Sequence, residues 1–255
     1  MLLSDLRPAV LFWPAASFSV LRTLPHIKTC KRDLDMTLPC QAVLFDFDGV
    51  IVESNAIKLE AFLSLYRGHG PEVDRAITDF YYRNGGLPRG QMLHHFDQVL
   101  LGLPRNEDRI EEMVRRVGGM VEDAVTACEE IPGALDFIRR HGDRHPLFIA
   151  SGTPETELRR IVERRGWTPL FAEVAGSPRH KTIVVADLID RHGIDTTRSV
   201  FVGDALTDLE AAQTNGLPFI GIVRPGAENM FPAGTHIEAD LTTLEGAIAT
   251  VLGRG

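Results

Sequence analysis

The sequence predicts an α/β protein, a parallel sheet with crossover helices, interrupted by an inserted block of helices. Short apolar runs of strand length each stop at a small or acidic residue: AVLFDFD at 42–48, PLFIASG at 146–152, SVFVGD at 199–204 and PFIGIV at 218–223. Amphipathic stretches with helical spacing separate the later runs, which is the alternation of βαβ units. Between Ser54 and Ile131 that rhythm breaks: apolar residues recur every three or four positions and no strand-like run appears.

Taken in order, residues 1–35 contain LFWPAASFSVL, whose apolar character resembles a signal-peptide core. Asp5 precedes it, Pro14 interrupts it and no A-x-A site follows, so secretion is not expected. Met36 opens MTLPCQAVLFDFDGV a few residues ahead of the first strand, so 1–35 reads as a poorly ordered upstream extension. The sheet domain is expected over 36–53 and 132–255, with a helical cap over 54–131.

Within the cap, IKLEAFLSLY, AITDFYYRN, QMLHHFDQVLL and IEEMVRRV read as helices punctuated at Gly70-Pro71, Gly85-Gly86, Leu103-Pro104 and Gly118-Gly119. Ser54 is placed to cap the first of them. Tyr81 and Tyr82 read as packing residues. The sheet domain resumes at IPGALDFIRRHG, where Pro132 suits a helix start and Gly142 a stop. After the second strand, Thr153 reads as an N-cap and Pro154 as the first helical position; Leu158, Ile161, Val162 and Arg165 continue that helix to Gly166.

Composition narrows the function. The chain has 255 residues, 44% of them hydrophobic, enough for a sizeable core. Its net charge of −8, with no basic run, argues against nucleic acid as a partner. No apolar run approaches the length of a membrane span. Cys30, Cys40 and Cys128 form neither a CxxC pair nor a cluster with histidines, so a reducing cytoplasm is the expected compartment.

The informative feature is DFDGV. Buried carboxylates are costly unless a cation or donors meet them, yet Asp46 and Asp48 lie inside an apolar run. Ligands of parallel α/β sheets bind beyond the carboxyl ends of the strands. By that rule Asp46, Asp48, Ser151, Asp204 and Asp208 converge on one crevice. Several carboxylates there predict a hard cation, and an all-oxygen set suits Mg²⁺ better than zinc.

DFDGV, ASGT, Lys181 and GDALTD, in that order over about residues 42 to 223, resemble the haloacid-dehalogenase-like phosphohydrolases. The helical insertion after the first motif is similar to that family's first-type cap, which points to the phosphoglycolate-phosphatase and β-phosphoglucomutase-like branch. The resemblance implies a Rossmann-like core and a Mg²⁺-dependent phosphatase acting on a small phosphorylated metabolite, a sugar phosphate or a phosphoglycolate-like acid. Asp46 would be the nucleophile that becomes an aspartyl phosphate. Asp48 would be the general acid and base and would offer its main-chain carbonyl to the metal. Asp204 and Asp208 would complete the metal site. Ser151 and the Gly152 amide would hold phosphate oxygens, and Lys181 would neutralise charge. In the cap, Gly86-Leu87-Pro88-Arg89 resembles a Gly-x-Ser-Arg turn that presents an arginine to substrate, making Arg89 a substrate-binding candidate. Closure of the cap, with hinges near 53–55 and 129–132, would exclude water. A phosphomutase using both aspartates, or a non-catalytic phosphometabolite-binding protein, remains the alternative. The expected assembly is a monomer or a homodimer.

Overall fold

The structure, a computed structural model, describes residues 38–253; the 1–35 extension lies outside the described residues. Its sheet strands are β1 (Ala42–Phe45), β2 (Leu147–Pro154), β3 (Glu173–Ser177), β4 (Ser199–Gly203), β5 (Phe219–Ile222) and β6 (His236–Glu238). All pair in parallel in the order β3-β2-β1-β4-β5-β6. Successive strand residues face opposite sides, so a central strand feeds two cores. Val43, Phe45, Leu147, Ile149, Val200 and Val202 pack on one side. Ala42, Leu44, Phe148, Ala150 and Phe201 pack on the other. This two-sided burial explains why the central strands read as continuous apolar runs.

β3 and β6 were not expected from the sequence. They are the sheet edges, and β6 is half-exposed along its length. An edge strand with one neighbour needs no long apolar run, and EVAGS and HIE supply none.

Between β1 and β2 lie α1 (Asn55–Leu65), α2 (Pro71–Arg83), α3 (Arg89–His95), continued by a π-helical turn over Phe96–Leu100, and α4 (Glu107–Ala127). They share a buried seam that includes Phe62, Tyr81, Phe96, Met113 and Val121. The two chain crossings that connect this block to the sheet pair with each other. Glu53 N–H donates to the Glu129 carbonyl at 2.9 Å and Ile131 N–H to the Ile51 carbonyl at 3.0 Å.

The remaining helices are α5 (Ala134–His141), α6 (Glu155–Arg164), α7 (Lys181–His192), α8 (Leu206–Thr214) and α9 (Leu244–Val251). α5 starts at Ala134 after Gly133, so Pro132 lies two residues ahead of its first residue. α6 begins at Glu155: β2 runs through Thr153 and Pro154, because the Thr153 side chain is engaged in the crevice and does not cap. At the end of α6, the Arg165 guanidinium lies over the Trp167 ring and donates to the Val125 and Cys128 carbonyls at the end of α4.

Gly118-Gly119 does not break α4, which runs unbroken through both. A methyl group at Gly118 would lie 2.8 Å from Glu157 Oε2 and 3.2 Å from Arg89 Nη1. The glycine therefore makes room for a side-chain pair beneath the helix and ends nothing.

Candidate active site

Strand register assembles the crevice. Phe45 lies opposite Ile149 on β2 and Val202 on β4, so Asp46 falls level with Ala150 and Gly203, and Ser151 and Asp204 follow one residue further on the neighbouring stretches of chain. Asp46 N–H still donates to the Val202 carbonyl at 2.9 Å, which fixes its backbone. The chain then turns at Gly49, whose φ is +77°. A Cβ there would lie 2.0 Å from Asp204 Oδ2 and 2.4 Å from Asn55 Nδ2. The turn needs glycine both for its backbone angle and for this close approach.

Asp46 is buried and its Oδ1 accepts no well-aligned hydrogen bond, although Lys181 Nζ is 3.0 Å away. Its carboxyl is pushed up to about 7: burial raises it most, Lys181 pulls it back, and Asp208 and Asp48 add to the rise. Asp204 is also held well above the ordinary carboxylate value, by burial and then by repulsion from Asp46 and Asp208. Lys181 is raised: burial disfavours its charge, but Asp208 and Asp46 more than offset that.

Oxygens of Asp46, Asp204 and Asp208 all lie within 4.8 Å of one another. Three carboxylates this close, with Asp46 and Asp204 raised by burial and by neighbouring carboxylates, fit a hard divalent cation. The three are not equivalent. Asp208 accepts the Asp204 and Ala205 N–H groups on Oδ2, each at 3.0 Å, and the Lys181 ammonium on Oδ1. It thus holds the lysine and the strand-end backbone, leaving Asp46 and Asp204 more open to a cation.

Asp48 points another way. Its Oδ1 accepts from Ser54, and its Oδ2 from Lys58 and, at 2.9 Å, from Thr153 Oγ1. Burial raises its pKa, but Lys58 and the two hydroxyls outweigh burial and hold it below the ordinary carboxylate value. Ser54 therefore spends its hydroxyl on Asp48, and α1 has no side-chain cap. Ser151 is buried beside Asp48, its Oγ 3.4 Å from Oδ2, and Gly152 borders the cavity next to Gly86 of the helical block.

Arg89 also borders the cavity, but its guanidinium is committed elsewhere. Nη1 and Nη2 donate to Glu157 Oε2 and Oε1 at 2.9 and 2.8 Å, with both side chains buried. The substrate-facing arginine expected from the Gly-x-Pro-Arg turn is instead the helical block's half of a bidentate pair to α6.

Sequence reasoning missed Asn55, Lys58 and Thr153. Asn55 Nδ2 donates to Asp204 Oδ2 at 2.8 Å, and Lys58 donates to both Asp48 and Thr153. One signal was present: Lys58 is the fourth residue of α1, and a cation near a helix N-terminus is disfavoured unless an anion faces it. Tyr82, read as packing, is 48% exposed and borders the cavity.

With this geometry in view, known proteins supply the context. Residues 43–222 match the family model of haloacid dehalogenase-like hydrolases. The chain belongs to that family. A phosphoglycolate phosphatase of Synechococcus elongatus is 28% identical over 189 residues, 71% of this chain and 83% of that protein. A 5'-nucleotidase of Pseudomonas aeruginosa is 27% identical over 219 residues, 82% of this chain and 96% of the other. In three dimensions the β-phosphoglucomutase of Clostridium difficile superposes with a TM-score of 0.69 at 14% identity, covering 84% of this chain and 97% of that one, which shows a shared fold. The protein is thus an enzyme of this hydrolase family, similar in sequence to phosphoglycolate phosphatases and in fold to a β-phosphoglucomutase. Among the described residues, no helix is long and apolar enough to cross a membrane.

Proposed function

We propose that this hydrolase is a Mg²⁺-dependent phosphatase that cleaves a small phosphomonoester through an aspartyl phosphate on Asp46. One observation supports the reading: the buried Asp46 carboxylate, directly after β1, lies 3.0 Å from the Lys181 ammonium and within 4.8 Å of carboxylate oxygens of Asp204 and Asp208. Ser151 Oγ and the Gly152 amide receive phosphate oxygens, and Lys181 balances charge on phosphate and Asp46. An Asp46 oxygen attacks phosphorus, the ester P–O bond breaks, and the departing alcohol oxygen takes a proton carried by Asp48. Asp48, again a carboxylate, then takes a proton from a water whose oxygen attacks the same phosphorus. The bond to Asp46 breaks and inorganic phosphate leaves. Asp46, Asp204 and the Asp48 carbonyl, with Asp208 behind them, would hold Mg²⁺, which would supply positive charge that offsets repulsion between nucleophile and phosphate.

Asp48 is suited to the second half of this cycle, since Lys58, Ser54 and Thr153 all favour its ionised form. The test is phosphate release from a panel of phosphomonoesters, with Mg²⁺ or with chelator, by the wild type and Asp46→Asn. The expected result is metal-dependent release that the substitution lowers on the order of 10³-fold or more. Release indifferent to chelation and to Asp46→Asn refutes the mechanism, and conversion of a sugar 1-phosphate to its 6-phosphate without phosphate release assigns a mutase.

A further inference from the structure

Beside Asp46 and Asp48 the crevice opens into a cavity of about 510 Å³ bordered by both the helical block and the strand ends. That volume is in the range that receives a drug-sized molecule. A phosphate carrying a two-carbon acid would leave most of it to water.

The charged groups on its wall are largely spent. Lys58 is paired with Asp48, Arg89 is held bidentately by Glu157, and Arg224 lies 3.4 Å from Glu53 while donating to the Ala239 carbonyl. Arg83 is exposed, but Asp79 and Glu228 border the same cavity and are exposed too. A second anion on the leaving group would therefore find no buried, uncommitted cation there, and it would meet two carboxylates.

The accessible remainder of the wall is apolar. Tyr82 is 48% exposed and Leu206 is 36% exposed, and both border the cavity together with half-buried Leu87, Val223 and Met230. Large apolar side chains left open inside a concave site mark the surface a ligand covers. A bare polyol would offer these apolar side chains no matching surface, and hydroxyls set against them would gain no partner from them.

We infer that the phosphate ester this site takes is that of a bulky, uncharged alcohol with an apolar ring face, the chemistry of a nucleoside 5'-monophosphate, in preference to a phosphorylated small acid. The inference rests on the phosphatase reading for turnover, but binding tests it separately. The full-length Asp46→Asn protein with Mg²⁺ is titrated calorimetrically with uridine 5'-monophosphate, glucose 6-phosphate and phosphoglycolate, and the wild type is assayed for phosphate release from the same three. Uridine 5'-monophosphate is expected to bind at least tenfold more tightly than phosphoglycolate and more tightly than glucose 6-phosphate. Tyr82→Ala, at an exposed position, is expected to weaken the nucleotide about tenfold and to narrow its advantage over the sugar phosphate. Equal or tighter binding of phosphoglycolate overturns the inference, as does tighter binding of glucose 6-phosphate or a nucleotide affinity indifferent to Tyr82→Ala. Selective binding of the nucleotide with no release of phosphate from any of the three by the wild type leaves the inference standing and sinks the phosphatase reading instead.

Discussion

The strand-end crevice and the helical block above it each bring a buried lysine to one of the paired aspartates. Lys181, first residue of α7, is gripped by Asp46 and Asp208, so its charge is fixed to the sheet. Lys58, on α1, reaches Asp48 and Thr153 from the inserted helices. In the proposed mechanism the core lysine would serve the nucleophile and the phosphate, and the inserted one would order the acid and base. Charge for the phosphate is thus built into the rigid sheet, whereas the state of Asp48 depends on how the helices dock.

Substituting each lysine separates the two roles. Lys181→Ala is expected to lower kcat by about 10²–10³, the cost of losing a donor to developing negative charge. Lys58→Ala is expected to cost less, roughly tenfold, because Asp48 itself remains for proton transfer. The pH profile distinguishes them further. Lys58 helps hold Asp48 below its ordinary value, so its removal moves the Asp48 limb of the profile to higher pH. An equal loss in both variants with an unmoved profile would erase the distinction.

The Arg89–Glu157 pair joins the same two regions without touching the chemistry. Arg89→Ala leaves a buried carboxylate unpartnered and is expected to destabilise the protein by about 3 kcal/mol in urea unfolding, as breaking a buried ion pair does. If stability changes by less than about 1 kcal/mol, the helices are held to the sheet by packing alone.

How much of this was legible follows the same division. The gathering of Asp46, Asp48, Ser151 and Asp204 at one crevice was readable because each strand's apolar run stops at a definite residue and parallel strands carry those stops to the same end of the sheet. Lys181 was placed by the resemblance of its motif. Asn55, Lys58 and Thr153 were not readable, since helical spacing tells which face is apolar and leaves open which strand end a helix will cover. Arg89 was noticed as a charge facing substrate, whereas the structure pairs it with Glu157, 68 residues away, and nothing in either local pattern links them. β3 and β6 escaped for the complementary reason that edge strands need little apolar sequence.

Acidity gives a smaller effect with a definite sign. Asp46 and Asp204 carry folded-state values raised above those of an unfolded chain, so the folded state binds more protons between the two values. Without metal, their contribution is full below the unfolded carboxylate value and is lost as pH rises through about 7, the value for Asp46. Mg²⁺ bound as proposed would compensate the ionised pair, so the rise in Tm on adding it is expected to be larger at pH 8 than at pH 5.5. A rise of the same size at both values would mean that the cation does not meet these carboxylates.

The smallest expected effect tests the contact most directly, because two adjacent glycines in α4 should respond with opposite signs. Gly119 is exposed and a methyl group there would meet nothing within 4 Å, so Gly119→Ala should stabilise by up to about 1 kcal/mol through helix propensity. Gly118→Ala gains the same propensity but drives a methyl to 2.8 Å from Glu157 Oε2. That oxygen is not a free end: its carboxylate is buried and fixed by two hydrogen bonds from Arg89, so the pair must shift as a unit. Gly118→Ala is therefore expected to be destabilising, by about 1 kcal/mol. In an Arg89→Ala background the carboxylate is free to turn aside, and the same substitution should revert to stabilising, a coupling that a double-mutant cycle measures. Stabilisation by Gly118→Ala in the wild type would mean that α4 does not press on the pair and that the helices are not registered to the sheet through it.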